Sequence, residues 1–174
     1  MPQLIMPKSK LPEIDFPLTE GGRFNVRDSL PEKFLILVVY RGYHCPKCKK
    51  QLQEINDLMP DIQADGLDLV AVSMDGEERA KKAKDEWALE NVSVGYDLSL
   101  LEAKALGLFI SDAISDKEPK FFSEPGIFVI NTDGTLYAEI IQNTPFGRPD
   151  IKGLVAGLNF AKENDYPERG TSVV

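Results

Sequence analysis

Two cysteines and one histidine are all the Cys and His that this 174-residue chain contains. A structural zinc takes four ligands, mostly of these two kinds. His44 is also adjacent to Cys45, so no metal site is expected within one chain and no cofactor is assigned. Cations are short as well: 20 Lys and Arg stand against 28 Asp and Glu, a formal net charge of −8. That balance argues against nucleic acid as a partner. No apolar run approaches the ~20 residues of a membrane helix, so no membrane partner is expected either. A charged-then-apolar leader pattern is missing from the first residues, and a cytoplasmic location is the expectation. A cysteine pair there is normally held reduced, which favours catalysis over a structural disulfide.

What is present centres on residues 34–59. Phe34-Leu-Ile-Leu-Val-Val-Tyr40 is a continuous apolar run rich in β-branched residues, the pattern of a strand buried on both faces. Cys48, Leu52, Ile55 and Met59 recur at helical spacing and form one apolar stripe. Between strand and helix lies Cys45-Pro-Lys-Cys48. Pro46 suits the first helical position, because its missing N–H costs nothing there. Cys45 then falls at the N-cap, facing free backbone N–H groups and the positive end of the helix dipole. Lys47, Arg41 and His44 are expected to add positive charge. Together these make Cys45 an activated thiolate. Cys48, one turn on, is expected to be covered, leaving an exposed attacking sulfur and a sheltered one that closes a disulfide with it.

The remaining chain reads most simply as one domain over 1–174, with an extended arm at 1–10 and a frayed tail at 166–174. Leu11 to Asn25 suggests a β-hairpin turning at Gly21-Gly22, its strands limited by proline. Pro60 is read as a helix stop, and Leu67–Met74 as a second buried strand completing a parallel βαβ unit. Glu77–Glu90 is predicted helical with Trp87 as core filler, Val92–Tyr96 a short strand, and Leu98–Leu106 a short helix before Gly107. Leu108–Phe122 gives no clear period and reads as a cover for the active site or part of an interface. Gly126–Asn131 and Leu136–Gln142 flank Thr132-Asp133-Gly134 as a hairpin. Asp150–Asn164 is predicted as the last helix.

This order resembles the thioredoxin fold: an α/β domain with a mixed central sheet flanked by helices, here with an N-terminal β-hairpin extension. The extra elements, and Tyr40-Arg-Gly-Tyr-His-Cys-Pro-Lys-Cys48 above all, resemble peroxiredoxin-like proteins of the alkyl hydroperoxide reductase/thiol-specific antioxidant family. The resemblance implies that Arg41, Gly42, Tyr43, His44 and Pro46 position the substrate around Cys45. Pro145-Phe-Gly-Arg148 is similar to the family's Gly-Arg segment, which implies that Arg148 helps bind peroxide. Pro125 resembles the proline that faces the cysteine pair of thioredoxins, which implies a cis Glu124–Pro125 bond. Two positions depart from the family pattern Pro-x-x-x-Thr/Ser-x-x-Cys: Val38 stands for its proline and Gly42 for its hydroxyl residue.

Three functions follow. A peroxiredoxin-like thiol peroxidase would oxidise Cys45 to a sulfenic acid that Cys48 resolves. A thioredoxin-like disulfide oxidoreductase would use the same pair on a substrate disulfide. A redox sensor would turn over neither. The expected partners are a peroxide or disulfide substrate and an external thiol such as thioredoxin or glutathione; a homodimer is left open. A narrow pocket at Cys45 would favour the peroxidase, and an exposed groove beside Pro125 the reductase. For Arg148 the alternative to a catalytic place is a solvent-facing ion pair with Asp150.

Overall fold

The computed structural model describes residues 4–174; the first three residues of the expected arm lie outside the described residues. The first half of the chain contains β1 (Asp15–Pro17), β2 (Arg23–Asn25), a 3-10 turn (Val26–Asp28), β3 (Phe34–Val39), α1 (Pro46–Ala64), β4 (Asp68–Val72) and α2 (Glu77–Glu86). The second half adds β5 (Ser93–Gly95), α3 (Leu100–Ala105), β6 (Ile110–Asp112), β7 (Phe121–Ser123), β8 (Gly126–Asn131), β9 (Leu136–Ile141) and α4 (Ile151–Glu163).

The apolar run at 34–40 becomes the middle of a five-stranded mixed sheet of order β5-β4-β3-β8-β9. β3 pairs in parallel with β4 and antiparallel with β8. All six β3 residues are buried because both faces of the sheet are covered. Alternate side chains point to opposite faces. Ile36, Val38 and Tyr40 pack with Cys48, Leu52, Ile55 and Met59 of α1, with Trp87, and with Leu158 of α4. Leu35, Leu37 and Val39 pack with Ile14 and Phe16 of the N-terminal hairpin and with Ala103 and Leu106 around α3. The α1 stripe therefore anchors the helix whose first turn carries Cys45.

Several boundaries differ from expectation for physical reasons. α1 continues through Pro60 to Ala64. Proline cannot donate to the carbonyl four residues back, and here Asn91 Nδ2 donates to the Asn56 carbonyl instead, at 3.2 Å. α2 stops at Glu86, and Ala88 takes φ +54°, outside helical geometry. The illegible 108–122 stretch forms the β6–β7 hairpin. The Glu124–Pro125 bond is trans, not cis: no described peptide bond is cis. Trans is the intrinsic preference of an X-Pro bond, and here the chain runs extended from β7 into β8. Glu124 N–H donates to the Phe109 carbonyl at 2.8 Å, and Gln142 N–H to the Pro125 carbonyl at 3.0 Å. Residues 8–10 of the arm, and Leu11 after them, are pinned to the β8–β9 turn and the start of β9, where Lys8 N–H reaches the Leu136 carbonyl at 2.9 Å. The start of the tail is tied down too, since Asn131 Nδ2 donates to Glu168 at 2.8 Å.

Candidate active site

The N-cap assignment of Cys45 is met. Its φ of −102° and ψ of 105° are extended, Pro46 occupies the first helical turn, and the Cys48 N–H donates to Cys45 Sγ at 3.2 Å. Cys45 is not exposed, however: it is 1% accessible and Cys48 0%. Part of the cover is Arg148, which the β9–α4 loop carries back over the first turn of α1. Its Nη2 lies 3.2 Å from Cys48 Sγ and 3.7 Å from Cys45 Sγ, and its Nη1 donates to Gln51 Oε1 at 2.9 Å. Its Nε donates to the Pro145 carbonyl at 2.6 Å. A guanidinium held at three points over two sulfurs is not the solvent-facing partner of Asp150; no described ion pair joins the two.

The two thiols are pushed apart in acidity. Cys45 is pushed down to about 6, chiefly by the hydrogen bond from the Cys48 thiol, helped by the Cys48 N–H, Arg41 and Arg148 against the opposing effect of burial. Cys48 is pushed well up, first by burial and then by the neighbouring Cys45 thiolate. The cysteine pair thus supplies a thiolate and, beside it, a thiol that donates to it.

The other expected positioning residues take separate places. Arg41 lies with its Nε 3.0 Å from Glu124 Oε2 and its guanidinium 4.8 Å over the Phe122 ring, which ties the β7 segment to the cysteine loop. His44 packs edge-on against Phe122 at 4.6 Å, and both its ring nitrogens are buried without a partner. Burial, and after it Arg41, push its pKa below the usual range. At neutral pH it therefore adds no charge to the thiolate, contrary to expectation. The Tyr43 ring stacks on Trp87 at 6.0 Å. Lys47 is exposed and in no described ion pair. The register Val39↔Gly126 sets Pro125 beside Tyr40, at the end of β3 from which the cysteine loop departs.

Gly42 accounts for the missing hydroxyl. It has φ +137°, and a Cβ there would stand 2.7 Å from Asp75 Oδ2. Asp75, just beyond β4, is fully buried; it accepts from the Tyr43 N–H at 2.7 Å and from Arg79 Nε at 3.1 Å. A buried carboxylate thus occupies the space that a side chain at position 42 would need, and clamps the loop by its backbone. Restoring the family residue as Gly42→Thr is accordingly expected to lower stability by about 2–4 kcal/mol, from left-handed strain plus a clash. Urea unfolding reads this; an unshifted midpoint with faster peroxide reduction would show that the loop re-forms around a hydroxyl.

Asp75 and Gln51 escaped the sequence reading; Phe122 entered it only as the end of the stretch read as a cover or an interface, and Glu124 only through its bond to Pro125. For Gln51 a signal existed: a polar residue one position before Leu52 on the buried side of α1, 5% accessible. For Asp75 it was the carboxyl end of a parallel strand next to β3, where α/β sites collect. No group of three or more His, Cys, Asp or Glu side chains among the described residues is placed to hold a metal.

A model of the AhpC/TSA family matches residues 7–139, more than half of the chain. The chain belongs to the AhpC/TSA family. Solved structures of similar fold include AhpC of Enterococcus faecalis, 18% identical over 93% of this chain and 97% of that one, with a TM-score of 0.75. Reduced Prx3 of Vibrio vulnificus, solved in complex with H2O2, is 19% identical over 89% and 99%, with a TM-score of 0.74. A peroxiredoxin-like protein of Aquifex aeolicus is 16% identical over 91% and 88%, with a TM-score of 0.74. At such identities these likenesses carry the fold. No curated protein matches the sequence. Arg148 and α4 lie beyond the stretch matched to the AhpC/TSA family, so the residue covering the sulfurs is placed by the geometry of this chain. No described helix is long and apolar enough to cross a membrane.

Proposed function

We propose that this AhpC/TSA member is a two-cysteine thiol peroxidase that closes its disulfide within one helical turn. The observation that carries the reading is the enclosure of a low-pKa Cys45 under Arg148. Only a small substrate reaches a sulfur that is 1% accessible, which suits a peroxide better than a protein disulfide. The Cys45 thiolate attacks one peroxide oxygen and the O–O bond breaks. Cys45 becomes a sulfenic acid, and the departing alkoxide or hydroxide takes a proton to leave as alcohol or water. Arg148 is placed to stabilise the charge that develops on that oxygen.

The second step follows from the first. Burial first, and then the charge of the Cys45 thiolate, keep Cys48 protonated in the reduced protein. Conversion to an uncharged sulfenic acid removes that repulsion. Cys48 then loses its proton, its sulfur attacks Cys45 Sγ, and hydroxide leaves as water with the disulfide formed. An external thiol, thioredoxin or glutathione in the broad reading, returns the pair to the reduced form; the reducing cytoplasm is the compartment that suits this cycle.

Reduced protein mixed with hydrogen peroxide in a stopped-flow instrument tests the proposal. The oxidation rate is expected to rise with pH, reach half its plateau near pH 6, and stay flat above neutrality, because the thiolate is the reacting form. At pH 7 about nine-tenths of Cys45 would then be ionised, against a few per cent of an ordinary thiol. A midpoint above pH 8, or turnover of a protein disulfide without peroxide reduction, would sink the reading.

A further inference from the structure

Beside Arg148, on the side of α1 that faces solvent, lies a cleft of about 230 Å³ lined by Lys47, Lys50, Gln51, Glu54, Phe146 and Arg148, with Pro149. Its polar groups are mostly donors. Lys47 and Lys50 are exposed, and neither is within salt-bridge distance of a described carboxylate. Gln51 is 5% accessible; Arg148 offers only donors, so the amide oxygen must face it, and Nε2 is left buried without an acceptor. Glu54 supplies the one opposing carboxylate, and Phe146, 75% exposed, supplies an apolar edge. Three cations around one small cleft stand out on a chain of net charge −8.

We propose that this cleft is the docking subsite of the reductant, and that it takes a low-molecular-weight thiol bearing a carboxylate, which attacks Cys48 of the disulfide. The inference rests on the Cys45–Cys48 disulfide of the proposed cycle. Neither sulfur lines the cleft; Arg148, which does, stands 3.2 Å from Cys48 Sγ and 3.7 Å from Cys45 Sγ, so a thiol that displaces the guanidinium from the cleft side meets Cys48 first. Chemistry favours it too, since the sulfur whose thiolate is better stabilised leaves faster: the Cys48 N–H, Arg41 and Arg148 still hold a departing Cys45 thiolate after Cys48 has given up its own proton. The thiolate of the small acid bonds to Cys48 Sγ as the Cys45–Cys48 bond breaks, and Cys45 departs as thiolate. A second molecule then attacks the mixed disulfide, leaving the small disulfide and Cys48, which takes up a proton from water. Two thiols are oxidised and one protein disulfide is reduced.

The test uses the full chain, oxidised with hydrogen peroxide and freed of excess oxidant, with three probes: 3-mercaptopropionate, 2-mercaptoethanol and cysteamine. Acid-quenched samples are counted by mass spectrometry, and rate constants are expressed per thiolate. At low salt the anionic probe is expected to react about fivefold or more faster than the neutral one, with the cationic probe slowest. Lys50→Glu should bring the anionic-to-neutral ratio close to one, and so should high salt, which screens exposed charges. Equal rates for the three probes, or a ratio unmoved by Lys50→Glu, would overturn the subsite. So would a thioredoxin that outpaces every small thiol and is indifferent to Lys50→Glu. If the oxidised protein contains no Cys45–Cys48 disulfide, the proposed cycle itself falls, which separates that failure from failure of the subsite.

Discussion

Replacing Cys45 by serine is expected to reduce hydrogen peroxide consumption to the uncatalysed background, whereas Cys48→Ser should keep the first turnover and lose the later ones. A serine hydroxyl is not ionised at neutral pH, so the nucleophile is gone even though the N-cap hydrogen bond survives. In Cys48→Ser the reaction stops at the sulfenic acid of Cys45, seen by mass spectrometry as a single added oxygen, which excess peroxide carries further up the oxidation ladder. The two ways of removing Cys48 should also differ in their pH profiles. The largest cause of Cys45 acidity is the hydrogen bond from the Cys48 thiol. A serine hydroxyl still donates, so Cys48→Ser should keep the profile close to that of the parent. Cys48→Ala donates nothing, and its half-maximal pH should move upward from about 6. Parent-like rates in Cys45→Ser would place the reaction elsewhere, and a Cys48→Ala profile that does not move would mean that the helix N-terminus and the arginines suffice.

Most of the fold was legible because local chemistry and global packing agree there. The run 34–40 is apolar at every position because both of its faces are covered, and the α1 stripe points one way because one face of the sheet lies beneath it. Legibility failed where a distant side chain decides. Pro60 reads as a helix stop in isolation; the Asn91 amide, 35 positions from the Asn56 carbonyl it serves, replaces the donor that proline lacks where α1 runs on. Gly42 looked like a lost hydroxyl until Asp75, 32 residues from the Tyr43 it clamps, was seen to fill the space. The thiolate was readable from a helix start and a cysteine, but its enclosure was not, because Arg148 acts from 100 residues beyond Cys48. The resemblance to thioredoxins pointed to a cis proline at 125, and the backbone there is trans. The cysteine spacing alone serves a peroxide and a disulfide equally; the burial of both sulfurs is what favours the peroxide in the function proposed.

Arg148→Ala is expected to slow the reaction of reduced protein with hydrogen peroxide by about 10²-fold, the loss typical of one preorganised donor aimed at a developing oxyanion. Two effects contribute, and pH separates them. Arg148 helps hold the Cys45 thiol down, so without it the midpoint moves up from about 6. That part of the loss is recovered at alkaline pH, where the thiolate forms regardless. The remaining part, stabilisation of the leaving oxygen, is not recovered and should persist on the plateau. Arg148→Lys restores the charge without the fork of donors that now spans Gln51 and both sulfurs. It should therefore correct the midpoint more fully than the plateau rate. Loss of the guanidinium also uncovers the sulfur pair, so a protein disulfide should be reduced no more slowly by Arg148→Ala than by the parent. A plateau rate equal to that of the parent would show that Arg148 merely covers the cysteines, and the oxyanion role assigned to it would have to pass to Arg41.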